Sequence, residues 1–353
     1  MKKIRIGICG AGNIATSMHL PSYQKITDLV EVAAICDITV ERAKAAAEKF
    51  GIPKYFASVD EMLAGADIDA VDICTWNDGH KTCTIAAARA GKAICCEKPM
   101  AASLADAKEM YDEVKKAGVK FMLAVPNRWT RPNEVIREMV DNGDFGDVYL
   151  ARAHYIRRRG TPTGWFTDKK HSGGGPVIDI GVHCIDAAWN LLGCPKPVTV
   201  SAMTAAPIGE FKTKGVSRWQ GNPSPEGNFD TEDSGAGCIR FENGAMILFE
   251  CSWAINGPEK NGIQIYGSKA GAVVLQDSFK IFGEANGFLS DNEVFVAKQS
   301  AAVNELTYFA KYAAGEITEE ENRYPIEKAV QMQSILQGIY DSAAAGEEVE
   351  IKL

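Results

Sequence analysis

Through the first 125 residues, short apolar runs alternate with amphipathic stretches. "KIRIGIC" (3–9), "VEVAAIC" (30–36), "DAVDICT" (69–75), "AICCEK" (93–98) and "KFMLAV" (120–125) read as strands. Between them, "TVERAKAAAEKFG" and "HKTCTIAAARAG" have helical spacing and end at Gly51 and Gly91, good helix stops. A third, "SLADAKEMYDEVKKAG", opens on the cap residue Ser103 and ends at Gly118. A further helix is expected from about Ile14. Strand, helix, strand in repetition predicts a parallel sheet with helices on both faces.

Near Pro126 the texture changes. After the helix pattern "PNEVIREMVDNG" come longer strand-like runs with few helices between them, "DVYLARAHYIR" and "GAGCIRFENGAMILFECSWA" being the clearest. In the latter, Asn243-Gly244 separates two such runs, a strong hairpin signal. Residues 204–231 are rich in Gly, Pro, Asn and Lys and read as a long loop. The expected organisation is an N-terminal α/β domain over residues 1–125, with a doubly wound parallel sheet. An α+β domain with a large, mostly antiparallel sheet follows over 126–353, closed by a helix at about 326–345.

Length agrees with two domains, since 353 residues exceed one simple core. With 46% hydrophobic and 24% charged residues the composition is that of a soluble globular protein. A net charge of -8 offers no basic field for nucleic acid or an anionic membrane. No run approaches the roughly 18 apolar residues of a membrane span. The start, "MKKIRIGICGAG", has the lysines of a signal peptide, but glycines break it before an apolar core develops. The ten cysteines sit mostly in apolar runs and form no C-x-x-C pair. Reduced core cysteines in a cytoplasmic protein are therefore expected.

Candidate chemistry begins at "GICGAGNIA". Gly10, Gly12 and Ala15 fit G-x-G-x-x-A immediately after a strand and at the start of a helix. Gly10 permits the tight turn. Gly12 admits a pyrophosphate, which would sit on the helix N-terminus with Asn13 and Ile14 beside it. The second strand ends in Asp37, 25 residues beyond Gly12 (37 minus 12), against the roughly 20 of a dinucleotide site. A carboxylate there accepts hydrogen bonds from ribose hydroxyls and repels a 2′-phosphate, which favours NAD over NADP.

Two more places stand out. Lys98 follows the fourth strand, where ligands bind in open parallel sheets, although a strand-end lysine is commonly just solvated. "GGGPVIDIGVHCID" (173–186) brings Asp179, His183 and Asp186 to helical spacing. That stripe reads as a metal site, an acid–base pair or an ordinary helix start. A metal needs three or more ligands with supporting partners, and no second His cluster accompanies this one, so none is expected.

In order and spacing, "GAGNIA", "ICTWNDGHKTCTIAAARAGKAICCEKPMA" and "GGGPVIDIGVHCIDAAWNLLG" resemble the Gfo/Idh/MocA family of NAD(P)-dependent sugar and cyclitol oxidoreductases. The resemblance runs the length of the chain. It implies a Rossmann domain followed by an α/β domain whose sheet carries the substrate site and often the oligomer interface. The family's E-K-P motif maps onto Glu97, Lys98 and Pro99, and its D-x-x-x-H motif onto Asp179 and His183. Many members read T-P-N after the third strand, where this chain has Thr75-Trp76-Asn77. The resemblance places these three, His80 and Glu97 among the cofactor contacts, with the indole of Trp76 near the nicotinamide.

Oxidising an alcohol moves a hydride from carbon to the nicotinamide and a proton from the hydroxyl to a base. His183 is the expected base, with Asp179 orienting it or relaying the proton, and Lys98 the expected partner of the reacting oxygen. Asp186 is expected to be structural. The aromatic and basic clusters Asn127-Arg128-Trp129 and His154, Tyr155, Arg157 and Trp165 are substrate candidates, since an Arg beside an aromatic ring suits a polyol. The loop around Trp219 is a candidate cover for the site. The expected activity is NAD-dependent oxidation of a secondary hydroxyl of a sugar, glycoside (carbon 3 included) or cyclitol, by a homo-oligomer. The alternatives are a glycoside hydrolase that uses NAD transiently and a non-catalytic NAD-sensing protein.

Overall fold

The alternation of the first 125 residues resolves, in a computed structural model describing residues 3–211, 213–216, 218–275 and 278–352, into a six-stranded parallel sheet. Its strands are β1 (Ile4–Cys9), β2 (Val30–Cys36), β3 (Tyr55–Phe56), β4 (Ala70–Ile73), β5 (Ala93–Glu97) and β6 (Phe121–Ala124), in the order β3-β2-β1-β4-β5-β6. The order reverses between β1 and β4, the point at which such sheets bind dinucleotides. Ile6, Ile8, Val71, Ile73, Ile94 and Cys95 are buried, as strands covered on both faces require. The sequence pattern missed β3 and the helix Val59–Gly65, two short elements without a strong period.

The rest of the chain builds a nine-stranded sheet from β7 (Val148–Ile156), β8 (Pro197–Ala205), β9 (Ser234–Phe241), β10 (Met246–Ser252), β11 (Lys260–Gly267), β12 (Gly271–Val274), β13 (Ser278–Ala285), β14 (Phe288–Phe295) and β15 (Val349–Glu350). The order is β14-β13-β12-β11-β7-β10-β9-β8-β15, antiparallel throughout except for β7 against β10. The β9–β10 hairpin turns at Asn243-Gly244, where Gly244 has φ 83° and the Asn243 side chain accepts a hydrogen bond from Ala245 N. Helix Val182–Leu191 packs on one face of this sheet, against β7, β10 and β11.

The chain forms two compact units. The first unit takes residues 1–125 together with 170–173 and 302–333. The late segment covers the edge strand β6: Leu123 N donates to Tyr324 O (3.3 Å) and Asn322 Nδ2 to Phe121 O (2.8 Å). An uncovered edge strand exposes unpaired backbone groups, and this segment supplies their partners. Helix Ile326–Ala345 forms where the sequence places it.

All ten cysteines are free thiols, eight of them buried. No helix among the described residues is long and apolar enough to cross a membrane. Met1 and Lys2 of the opening run, and Lys212 and Ser217 of the long loop, lie outside the described residues.

Candidate active site

In the first unit the glycine turn has the form its sequence calls for. Gly10 has φ 94°, and a Cβ there would lie 2.7 Å from the Cys74 carbonyl oxygen, so only glycine fits. A Cβ on Gly12 would meet open space, so the protein's own packing does not demand glycine there. The opening at Gly12, on the first turn of the helical segment, fits a pyrophosphate approaching the backbone. Asn13 is exposed and Ile14 half-buried on the same turn.

Asp37 stands at the end of β2. Its Oδ2 accepts from Ala11 N (2.9 Å) and its Oδ1 from Thr39 N (2.8 Å). Arg42 also reaches Oδ1, at 3.0 and 3.2 Å. A carboxylate oxygen has two accepting positions, so Oδ2 keeps one for a ribose hydroxyl. Arg42, five residues on in sequence, is one helical turn away in space and already engaged.

The loop after β4 departs from expectation. Asn77 is buried and its Nδ2 donates to Ser172 O (2.7 Å). His80 is buried too, with Nδ1 2.8 Å from Pro99 O and Nε2 3.3 Å from Thr75 O. Burial lowers its pKa, against the opposing pull of the Pro99 carbonyl, which suits a neutral ring donating from Nδ1. His80 thus ties the loop to Pro99 of the Glu97-Lys98-Pro99 turn, and Asn77 ties it to Ser172. Thr75 and Trp76 are half-buried, and the Trp76 ring meets His171 edge-on at 5.0 Å. Lys98 is half-buried, while Glu97 before it is buried.

In the second unit the glycines of "GGGPVIDIGVHCID" solve a packing problem. A Cβ on Gly174 would sit 2.1 Å from the Tyr340 hydroxyl, and one on Gly175 would sit 2.3 Å from the Glu232 carbonyl oxygen. Glu232, which the sequence did not single out, accepts from Gly175 N (2.9 Å), Val177 N (3.2 Å) and Tyr340 Oη (2.9 Å). It thus holds the entry to the helical segment and places a carboxylate where exposed backbone N–H groups favour one. Burial, and then Glu232 itself, push the Tyr340 phenol well above its usual range, which keeps it a donor.

The segment then makes a wide π-type turn, Val177–Gly181, before the α-helix Val182–Leu191. Such turns redirect side chains that regular spacing would align. Asp179 lies in the wide turn and His183 in the first turn of the helix, both half-buried. Trp253 Nε1 donates to Asp179 Oδ2 at 3.0 Å, fixing the carboxylate.

Asp186 leaves the stripe altogether. It is fully buried and takes Arg128 in a bidentate pair, Nε and Nη2 each at 2.7 Å, with the guanidinium 5.8 Å from the Trp189 ring. Arg128 is only 3% exposed, so it is a core ion pair and its expected substrate contact is withdrawn. Replacing Arg128 with Met leaves a buried carboxylate without its partner and should cost about 3–5 kcal/mol of stability. Chemical denaturation measures this, and a loss under about 1 kcal/mol would remove the assignment. Its neighbour Asn127 donates from Nδ2 to the His183 carbonyl oxygen at 3.3 Å and so ties down the helix rather than facing outward.

Alternation along β7 sorts the remaining candidates. Tyr155 faces the helix, its ring 6.4 Å from that of His183, and Arg157 shares that side, 5.1 Å above the Tyr155 ring and donating to its hydroxyl at 3.2 Å. His154 points to the opposite face because successive strand residues alternate. There Lys260 Nζ approaches its Nε2 at 3.3 Å, and burial and then Lys260 lower its pKa. His154 is therefore withdrawn as a substrate residue. Trp165 is 8% exposed and stacked on Phe166 at 4.1 Å, so it is core as well. Trp219 is 43% exposed on the long loop, which Arg218 pins by donating to Thr161 O at 2.7 Å.

Comparison with known proteins places this arrangement. Residues 4–125 match the model of an oxidoreductase family with an NAD-binding Rossmann fold, and residues 134–273 match the GFO/IDH/MocA C-terminal domain. The chain is 33% identical to a D-glucoside 3-dehydrogenase of Escherichia coli, over 99% of this chain and 97% of that one. It is 29% identical to a myo-inositol 2-dehydrogenase of Thermotoga maritima, over 75% of this chain and 73% of that one. A solved levoglucosan dehydrogenase, in complex with NADH and levoglucosan, has the same fold, with a TM-score of 0.86 at 24% identity over 100% of both chains. The glycine turn with Asp37, the Glu97-Lys98-Pro99 turn and the Asp179–His183 helix thus stand in a chain that belongs to the Gfo/Idh/MocA family of NAD-dependent oxidoreductases.

Proposed function

We propose that this protein oxidises a secondary hydroxyl of a sugar or glycoside, at carbon 3 of a glycoside in particular, with His183 as the general base. The observation that carries the proposal is the second unit's helix. It presents His183 beside Tyr155 and Arg157, and Asp179 is held one turn earlier by Trp253. The substrate class follows the full-length similarity to the D-glucoside 3-dehydrogenase.

NAD, when bound, supplies the hydride acceptor. The chain supplies the rest. The turn at Gly10 and Gly12 receives the pyrophosphate, and Asp37 the adenosine ribose. His183 takes the hydroxyl proton as the C–H bond breaks, so the alcohol becomes a ketone and one proton is released. Asp179 sets the orientation of the imidazole and favours its protonated form after transfer. Lys98 donates to the reacting oxygen as alkoxide character develops. Tyr155 and Arg157 offer a ring face and a forked donor to a sugar.

The test is a panel of glycosides, free sugars and cyclitols assayed for NADH absorbance, with products examined for a ketone. Glycosides are expected to give NADH and a 3-keto product. Glycosidic cleavage without net NADH would instead identify a hydrolase using NAD transiently, and no turnover with any member would overturn the proposal.

A further inference from the structure

The first unit contains a buried charged cluster with no part in the chemistry above. His19, fully buried, ends the wide turn Ala15–His19 that follows the glycine turn. Its Nδ1 lies 2.7 Å from Asp72 Oδ2 on β4, and its Nε2 lies 2.7 Å from Glu97 Oε1 on β5. Asp72 is fully buried and Glu97 is 5% exposed. Between two ionised carboxylates, ring nitrogens at these distances need two N–H donors, which only the imidazolium has. Burial alone would lower the pKa of His19, but the Asp72 carboxylate outweighs it and the net shift is well upward.

The other groups around the ring agree. Tyr23 is buried beside Asp72, and its phenol is pushed well up, first by burial and then by that carboxylate. Cys74 is raised to about 12 by burial and then Asp72, so it is a neutral thiol. Glu305, from the late segment, is fully buried, and burial and then Glu97 push its carboxyl well up, favouring the neutral acid. His19 is therefore the cation that balances Asp72 and Glu97 where β4 and β5 end.

Glu97 is also the last residue before Lys98. Its second oxygen, Oε2, accepts from Lys98 N at 3.1 Å. One carboxylate thus joins the buried imidazole to the backbone of the lysine.

We propose that His19 is a positioning residue of the reaction: by bridging Asp72 and Glu97 it fixes the turn from which Lys98 projects. The inference rests on the role given to Lys98 under Proposed function. Without His19, two buried carboxylates lose their shared partner, Glu97 is free to rotate, and its hold on the Lys98 amide is released. Displacing a reacting group by about 1 Å can cost on the order of a hundredfold in rate.

The experiment uses the full chain and the best substrate from the NADH panel. His19→Gln and Asp72→Asn are compared with Lys98→Met for kcat, KM for sugar, NAD binding by fluorescence, and melting temperature. His19→Gln is expected to lower kcat by about tenfold or more, with NAD affinity changed by less than about threefold. A purely structural role would lower the melting temperature and leave kcat within about twofold, which overturns the proposal. Should His19→Gln fail to fold, Asp72→Asn carries the same expectation, and failure of both to fold would make the cluster a core brace only. An inactive Lys98→Met beside a fully active His19→Gln sinks the His19 proposal alone. A fully active Lys98→Met sinks the role of Lys98 and the inference built on it.

Discussion

Replacing His183 with Ala is expected to lower kcat by about a hundredfold to ten-thousandfold, the range lost when a positioned general base is removed. NAD affinity should stay close to that of the parent, because the glycine turn and Asp37 belong to the other compact unit. The helix should survive as well. His183 is half-buried on its first turn, while Val182, Ile185 and Leu191 carry the core contacts. Single-turnover measurements with saturating sugar and NAD separate loss of chemistry from loss of binding. Turnover kept within about threefold of the parent would remove His183 as the base. Asp179→Asn is the companion variant. It keeps the shape that accepts the Trp253 hydrogen bond but removes the charge that favours the imidazolium, so it should act on kcat more than on KM.

The second large effect lies at the adenosine end. Replacing Asp37 with Ser removes the ribose acceptor and frees Arg42, which the parent holds at 3.0 Å from Oδ1. An unengaged guanidinium next to a 2′-phosphate is a strong charge-assisted partner. The ratio of kcat/KM for NADP to that for NAD should therefore rise by about tenfold to a hundredfold, from a lost and a gained charged hydrogen bond at about 1.5–3 kcal/mol each, screened by solvent. The sequence alone suggested weaker NAD binding and relaxed discrimination against NADP. It is the contact between Asp37 and Arg42 that turns the same variant into a cofactor switch. A parent enzyme that already preferred NADP would sink this reading of Asp37.

The corrections share one physical cause. Arg128 was a good sequence candidate because an arginine beside a tryptophan suits a sugar, yet its partner Asp186 lies 58 residues on and takes both nitrogens in the core. His154 and Tyr155 were equivalent as neighbours in one run. The pleat sends them to opposite faces, and only the packing of Val182–Leu191 on β7 decides which of them meets His183. Asn77 and His80, in the loop after β4, reach Ser172 O and Pro99 O, partners 95 and 19 residues away. Glu232 and His19 gave no local signal at all, because their partners are 53 to 108 residues away.

What the sequence determined by itself is whatever short-range chemistry dictates. The period of apolar residues set the alternation of strands and helices. Gly10 reported a turn that no side chain fits, Asn243-Gly244 a hairpin, and Asp37 an acid at the end of β2. The order of the Glu97-Lys98-Pro99 and Asp179–His183 motifs was enough for the family. Tertiary structure decided which polar groups are spent and which remain available. A buried charge must be paired, and the partner is chosen by three-dimensional packing rather than by distance along the chain. For that reason Asp179 and Asp186, alike on one helical stripe, part company: a tryptophan N–H holds the first in the wide turn, and an arginine from another element takes the second into the core.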